Sequence, residues 1–322
     1  MPLPKSPHSD ESALASAVSS RTAHVIHLTH NDLDAVGADA IHRMNYGSDG
    51  VFTIWSSVGR FPALFSLVAS CEGKGDLLSV SDLGYHREAE HIAGRARSNG
   101  WRVEWRDHHR WRDDEVALVK KEVALLHIDT TTCATGIVAS DLLPDNTVAA
   151  EVAHVVCDYD LWKHQDPRSA VLGQVLQRKK NRDHVRDCLL TGVFSDELIV
   201  QEYTEIKAEM DEMMRRSLQH TTILGKKYRI AFAPLYGYPS ETAHFIRDEK
   251  KTDIEVIISR DGRFSLRSVP PVSHLIAREF SGGGHPNAAG GSFNFSVLDR
   301  FVFWLIKKSR HFDTFVNVAE AH

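Results

Sequence analysis

Short apolar runs alternate with amphipathic stretches through the first third of the chain. HVIHLTH, VFTIWSS, DLLSVSDL and WRVEWRDHH are compact and rich in β-branched or aromatic residues, which predicts buried strands. Between them AVGADAIHRMNY, FPALFSLVASC and HREAEHIAGRARSNG space their apolar residues at the helical period, and Gly100 closes the last of them. This alternation predicts an α/β fold built on a doubly wound, mostly parallel sheet. The pattern then turns helical at TCATGIVASDLL and TVAAEVAHVVCDYDLW. In SDELIVQEYTEIKAEMDEMMRRSLQH, Ile199, Tyr203, Ile206, Met210, Met213 and Leu218 keep helical spacing without a glycine or proline, which predicts one long helix. Beyond Gly225 the texture changes to the strands KYRIAFAPL, DIEVIISR and FSLRSV, the last two joined by the Asp261-Gly262 hairpin signal. Helices at SHLIAREF and VLDRFVFWLIKKSR complete a smaller α+β domain. The organisation expected is a disordered lead-in over 1–20, a first domain over 21–195, a linker helix over 196–224 and a second domain over 225–322.

Composition adds limits. The 322 residues suit two domains, and 42% hydrophobic content supports a core in each. A formal net charge of −5 argues against a long basic track, so any nucleic-acid substrate should be short or locally held. QRKKNRDHVR is the one dense basic stretch and reads as solvated surface. Cys71, Cys133, Cys157 and Cys188 form no Cys-x-x-Cys pair, which argues for a reducing compartment and against a zinc ribbon. No apolar run reaches membrane-spanning length, and MPLPKSPHSDESALAS has no signal-peptide core, so a cytoplasmic protein is expected. The 19 histidines, several beside aspartates, direct attention to metal.

The acids and imidazoles fall where strands end. His30, Asp32 and Asp34 follow the first strand, Asp82 the third, and Asp107, His108 and His109 the fourth. Asp158 and Asp160 close a helix. Ligands of parallel sheets gather at the carboxyl ends of the strands. Carboxylate and imidazole donors suit Mn²⁺, Mg²⁺ and related ions. His30, Asp32, Asp34, Asp82, His108 and Asp158 are enough to hold two divalent ions, with Mn²⁺ favoured and Mg²⁺ or Co²⁺ as substitutes. In the second domain, FSGGGHPNAAGGSF brings Gly282, Gly283, Gly284 and His285 together, near a strand carrying Arg267. Glycine lets a backbone approach a ligand closely and Arg grips phosphate through two hydrogen bonds, so these residues read as a phosphate or nucleotide clamp.

HNDLDAVG, SDLG, RDHH, DYDLW and GGGHPNAAG occur in one order, and the chain resembles the DHH phosphoesterase superfamily, with its DHH-associated C-terminal domain. With SLRS added, it is most similar to the NrnB-type nanoRNase branch. The resemblance implies a phosphodiesterase that uses two Mn²⁺ ions to cut short RNA to mononucleotides. The alternatives are a phosphatase or phosphodiesterase for pAp, cyclic dinucleotides or cAMP, and a non-catalytic nucleotide sensor. A homodimer is compatible with it. The resemblance also implies roles. Asp32 with His30 would hold one ion, and Asp34, His108 and Asp158 the other. Asp82 would bridge them, Asp107 would orient His108, and His109 would face the scissile phosphate. Many relatives have H-x-x-x-D-x-D where this chain has H-x-D-x-D with Leu28, so His30 and His27 both stand as candidates for the first histidine ligand.

Overall fold

The computed structural model describes residues 7–322. The chain divides between Tyr203 and Thr204 into two compact units. The first contains α1 (Pro7–Ser19), β1 (Val25–Thr29), α2 (Leu33–Tyr46), β2 (Val51–Trp55), α3 (Phe61–Ser70), β3 (Leu77–Ser81), α4 (Ala89–Ser98) and β4 (Arg102–Asp107). It continues through α5 (Asp113–Val119), β5 (Leu125–Ile128), α6 (Ala134–Leu142), α7 (Thr147–Asp160), α8 (Pro167–Val175), α9 (Arg182–Leu190) and the start of α10 (Glu197–Gln219). Its five strands are all parallel, in the order β2-β1-β3-β4-β5.

Burial explains the strands. β1 and β3 are buried at every position, as central strands covered on both faces must be. On one face Ile26, Leu78, Val80 and Trp105 join Phe61 and Phe65 of α3 and Ile92 of α4. Trp105 is fully buried, and its ring meets both phenylalanines edge-on at 5.5 Å. Burial of a large apolar side chain of this kind contributes about 1.5–3 kcal/mol. A second core joins α2, α6, α7 and α8 through Val36, Ile41, Val138, Val152 and Leu172. Gly37 permits it: a Cβ there would lie 2.7 Å from Thr135 Oγ1 and 2.9 Å from Val156 Cγ2. α2 therefore sits against α6 and α7 more closely than any side-chain-bearing residue allows.

Two boundaries differ from the expectation. The lead-in is helical as α1 over Pro7–Ser19, and residues 1–6 of it lie outside the described residues. Leu14 and Val18, one turn apart, pack on the first core, and Val18 is fully buried. The linker is also shorter than expected. α10 ends at Gln219, and the residues after it form β6 (Thr222–Leu224), an edge strand of the second unit's sheet.

The second unit adds β7 (Ile230–Pro234), α11 (Pro239–Lys250), β8 (Ile254–Ile258), β9 (Arg263–Ser268), α12 (Ser273–Glu279), β10 (Gly283–His285), β11 (Ala288–Ser292), α13 (Val297–Ile306) and α14 (His311–Ala321). Its sheet runs β10-β11-β9-β8-β7-β6, antiparallel except for the β7–β8 pair. Phe232, Phe264, Phe293, Phe312 and Phe315 fill its core. Among the described residues, no helix is long and apolar enough to cross a membrane.

Candidate metal centre

β1, β3 and β4 are neighbours in the sheet, so the residues just past their carboxyl ends converge. Nδ1 of His30 lies 2.7 Å from Oδ2 of Asp32 and 3.6 Å from Oδ2 of Asp82. Asp32 is the N-cap of α2: its Oδ1 accepts from the Ala35 N–H at 3.2 Å, which leaves Oδ2 for His30. Asp34, in the first turn of α2, is buried. Its two oxygens each accept a backbone N–H at 2.7 Å, from Ala134 and Thr135 at the start of α6. A helix N-terminus thus holds this carboxylate in place. Asp82 follows β3 in the left-handed region, at φ +54°, and its N–H donates to the Arg106 carbonyl at 3.2 Å. Nε2 of His108 is 3.3 Å from Oδ1 of Asp82 and 3.8 Å from Oδ2 of Asp34, and its Nδ1 is 3.6 Å from Oδ2 of Asp160.

At these strand ends three sets of donors have ligand atoms within 4.8 Å of one another: His30, Asp32 and Asp82; Asp34, His108 and Asp160; and Asp82, His108 and His109. Oδ2 of Asp82 and Oδ2 of Asp160 are buried without a hydrogen-bond partner. Burying carboxylate oxygens in this way is costly unless a cation meets them. The donors are oxygens and imidazole nitrogens, so the residues fit Mn²⁺-type ions.

The electrostatics agree. Burial, followed by the charges of Asp32 and Asp34, pushes the Asp82 carboxyl well above its ordinary range. Burial and then Asp34 raise Asp160 to about 7. Burial also lifts Asp34. Burial opposes the ionisation of both His30 and Asp32, yet their mutual hydrogen bond, with Asp82 beside them, takes His30 up to about 10 and Asp32 down to about 2. Without cations the pocket keeps protons that divalent ions would replace.

Several side chains sit elsewhere than the sequence reading put them. Asp158 is not in the cluster. Its Oδ1 accepts from the Gln165 N–H at 2.9 Å, and its Oδ2 from the Asp166 N–H at 3.1 Å and the Ser169 hydroxyl at 2.5 Å. It ties the turn after α7 to α8, and Asp160 takes the place at the cluster. Asp107 does not touch His108. Its Oδ1 meets Nδ1 of His109 at 2.8 Å, and its Oδ2 accepts the Trp111 indole N–H at 2.7 Å. The Asp107 contact holds the His109 imidazole above its usual pKa, against the effect of burial. His27 is fully buried between Asp39, at 2.8 Å, and the Ser81 hydroxyl, at 2.7 Å, so it supports β3 from behind and offers no ligand atom.

Part of the basic stretch lies at the cluster's rim. Lys179 Nζ donates to the carbonyl of Asn31, between His30 and Asp32, and the Arg182 guanidinium lies 5.1 Å from the Trp55 ring centroid at the end of β2. Cys133 and Cys157, expected as reduced thiols, form a disulfide. It joins the N-cap of α6, whose first amides hold Asp34, to α7, which ends at Asp160. The 24-residue separation carries no motif that would have revealed it.

In the second unit the glycine-rich stretch is a hairpin, not an open loop. β10 pairs with β11 across Pro286-Asn287, and His285 faces Ala288, which in turn faces Arg267 on β9. Directly paired residues point to the same side, so Arg267 and His285 share one face, about 10 Å apart across two strand spacings. Arg267 donates to the Ser240 hydroxyl at 2.7 Å. Gly282 and Gly284 are required by packing, since a Cβ would come within 1.9 Å of the Gly290 carbonyl and 2.6 Å of the Ala288 carbonyl. At Gly283 a Cβ would meet nothing within 4 Å.

No family model matches the chain. It is 23% identical over 300 residues to oligoribonuclease NrnB of Bacillus subtilis, covering 85% of this chain and 74% of that protein. Among solved structures it is similar to the DHH domain of a protein described as a member of a ribosomal-protein family, with a TM-score of 0.62, 15% identity, and coverage of 94% of this chain and 90% of that one. An exonuclease RecJ bound to manganese superposes with a TM-score of 0.55 and 16% identity, over 99% of this chain and 94% of the other.

Proposed function

We propose that the chain is a DHH-type phosphoesterase, a reading supported by its similarity to oligoribonuclease NrnB and to a DHH-domain fold, and that it acts as a Mn²⁺-dependent phosphodiesterase that hydrolyses short RNA oligonucleotides to mononucleotides. The position of Asp82 carries this reading. One of its oxygens faces His108 at 3.3 Å and the other faces His30 at 3.6 Å. A single carboxylate thus stands between two donor sets, the layout suited to two divalent ions with a shared ligand. His30, Asp32 and Asp82 would hold one ion, and Asp34, Asp82, His108 and Asp160 the other. When bound, such ions ionise a water near neutral pH and neutralise charge on the phosphate oxygens.

The chain's own groups supply the rest. Asp107 fixes the His109 ring and favours its protonated form, so that the Nε2–H can donate to a phosphate oxygen as charge develops there. Lys179 and Arg182 add positive charge beside the cluster. Arg267, His285 and the open edge at Gly283 are assigned to holding a substrate phosphate. The similarity to an oligoribonuclease supports RNA as the substrate class. The net charge of −5 supports short substrates, because a long polyanion needs a longer basic track.

The test is Mn²⁺-dependent hydrolysis of end-labelled RNA of graded length, from dinucleotide upward, beside pAp and cyclic di-AMP. Turnover concentrated on the shortest RNAs is expected. Turnover of pAp or the cyclic dinucleotide alone would replace RNA with a small nucleotide. No turnover of any substrate would leave a nucleotide sensor.

A further inference from the structure

A second cluster of ligating side chains lies on α9 and the turn before α10. His184 and Cys188 are one helical turn apart, so they project from the same side of α9. Asp196 meets them there. Nε2 of His184 is 2.7 Å from Oδ2 of Asp196, and Sγ of Cys188 is 3.6 Å from that nitrogen and 3.5 Å from that oxygen. The other oxygen of Asp196 accepts the Ile199 N–H at 2.8 Å and caps α10. One carboxylate thereby divides its two oxygens between a helix start and the cluster.

We propose that His184, Cys188 and Asp196 form a mononuclear site for a borderline-soft divalent cation, Zn²⁺ by preference, which staples α9 to the first turn of α10. The distances carry the assignment. Tetrahedral Zn²⁺ with its usual bond lengths puts a sulfur about 3.5 Å from a nitrogen or oxygen ligand, and nitrogen and oxygen about 3.3 Å from each other. The two sulfur separations already match. The His184–Asp196 pair, now at hydrogen-bond distance, needs to open by about half an ångström to reach that spacing. The side chains of His184 and Asp196 are 35% and 34% exposed, so an ion and a fourth, water ligand have access.

The donor types sort the ions between the two centres. Oxygen and imidazole ligands surround Asp82, whereas a thiolate sulfur here favours a softer cation than Mn²⁺. Thiolate and carboxylate together neutralise a dication. On binding, the Cys188 thiol loses its proton to solvent, and the His184 ring carries its proton on Nδ1 to free the Nε2 lone pair. One proton is released per ion, and nothing is oxidised or reduced. α10 carries the chain from the first unit into the second, so the ion would fix the root of that helix.

The test uses full-length protein with its acid-rich centre saturated with Mn²⁺, titrated with Co²⁺ as a coloured stand-in for Zn²⁺. One equivalent should produce a thiolate-to-cobalt charge-transfer band, which Zn²⁺ then abolishes. Cys188→Ser should remove the band, while Asp82→Asn should leave it intact. His184→Gln should weaken Co²⁺ binding on the order of 100-fold or more, since outer-shell changes alone cost 10- to 100-fold. A wild-type protein without the band, or a Cys188→Ser protein that keeps it, overturns the site. If Cys188→Ser does not fold, His184→Gln decides: unchanged affinity and an unchanged band overturn it equally. The band does not depend on turnover, so failure here and failure of the phosphodiesterase reading are told apart.

Discussion

Asp107 reaches past His108 to hold His109, with 2.8 Å between Oδ1 and Nδ1, while Trp111 anchors the second oxygen at 2.7 Å. His109 is thereby oriented by a buried acid and kept protonated to higher pH than a free imidazole. His109→Ala should lower turnover by on the order of 10²–10³, the usual cost of one charge-stabilising donor. Bound Mn²⁺, measured on the purified variant, should be unchanged. Asp107→Asn removes the group that raises the His109 pKa. The protonated fraction is present below that pKa and lost above it, so the alkaline limb of the kcat–pH profile should move to lower pH. An unmoved limb would show that His109 is not the group titrating there.

Asp158 and Asp160 are two residues apart and have opposite tasks. Asp160→Asn should reduce Mn²⁺ content and abolish turnover with little change in cation-free stability. Asp158→Ala removes the acceptor of the Gln165 and Asp166 N–H groups, at about 1–3 kcal/mol for each one left buried and unpaired, while the Ser169 hydroxyl keeps the Asp166 carbonyl at 2.8 Å. Its Tm should fall by roughly 2–4 °C per kcal/mol, with Mn²⁺ still bound. Thermal melts and metal analysis on both variants check this, and a reversal of the two results would return Asp158 to the ligand set.

Cation binding should depend on pH in a definite direction. In the cation-free protein Asp160 is raised from 3.8 to about 7, and Asp82 is raised as well. A carboxyl with a raised folded-state pKa stabilises the fold at low pH. That contribution is lost as pH rises through the folded value, here between about pH 4 and 7 for Asp160. Divalent ions replace those protons. The gain in Tm on adding Mn²⁺ should therefore be larger near pH 8 than near pH 6, and binding should release protons. Calorimetry in two buffers of different ionisation enthalpy measures the release. An equal Tm gain at both pH values would contradict it.

Arg267 lies in a different compact unit from every proposed ligand. If it only grips substrate, Arg267→Ala should raise KM for dinucleotide and trinucleotide RNA and leave Mn²⁺ content alone. One charge-assisted hydrogen bond contributes about 1.5–3 kcal/mol, or roughly ten- to hundredfold in kcat/KM. Bis-p-nitrophenyl phosphate should be hydrolysed almost normally. Equal losses on both substrates would falsify a holding role.

The sheet of the first unit was legible where strands are buried on both faces. VIHLT and LLSVS are compact apolar runs with turn residues behind them, and both are strands. β5 lies in VALLHI, an apolar run between KKE and DTTT that the same criterion marks as a strand and that the sequence reading passes over; its positions are only half-buried because it is an edge strand of the sheet. At the site, convergence of three strand ends brings His30, Asp32, Asp34, Asp82 and His108 together, and acids placed just past apolar runs were the visible signal for it. The choice between Asp158 and Asp160 was not legible, because residues two apart on a helix point about 200° apart and the pattern does not say which faces inward. The Asp107–His109 contact was legible in principle. Alternate residues of an extended chain share a side, so Asp107 and His109 face together while His108 faces away. Glycine's poor strand propensity hid the β10–β11 hairpin, which depends on pairing with β9.

The left-handed turn at Asp82 subjects that position to two independent filters. The backbone at φ +54° accepts glycine readily and Asn or Asp at modest cost, but charges other residues roughly 1–2 kcal/mol before any chemistry is considered. The chemistry, a carboxylate reaching both His30 and His108, accepts Asp or Glu only. Their intersection is a single amino acid. Asp82→Asn therefore isolates the lost ligand, whereas Asp82→Ala and Asp82→Glu each change the shape of the chain as well.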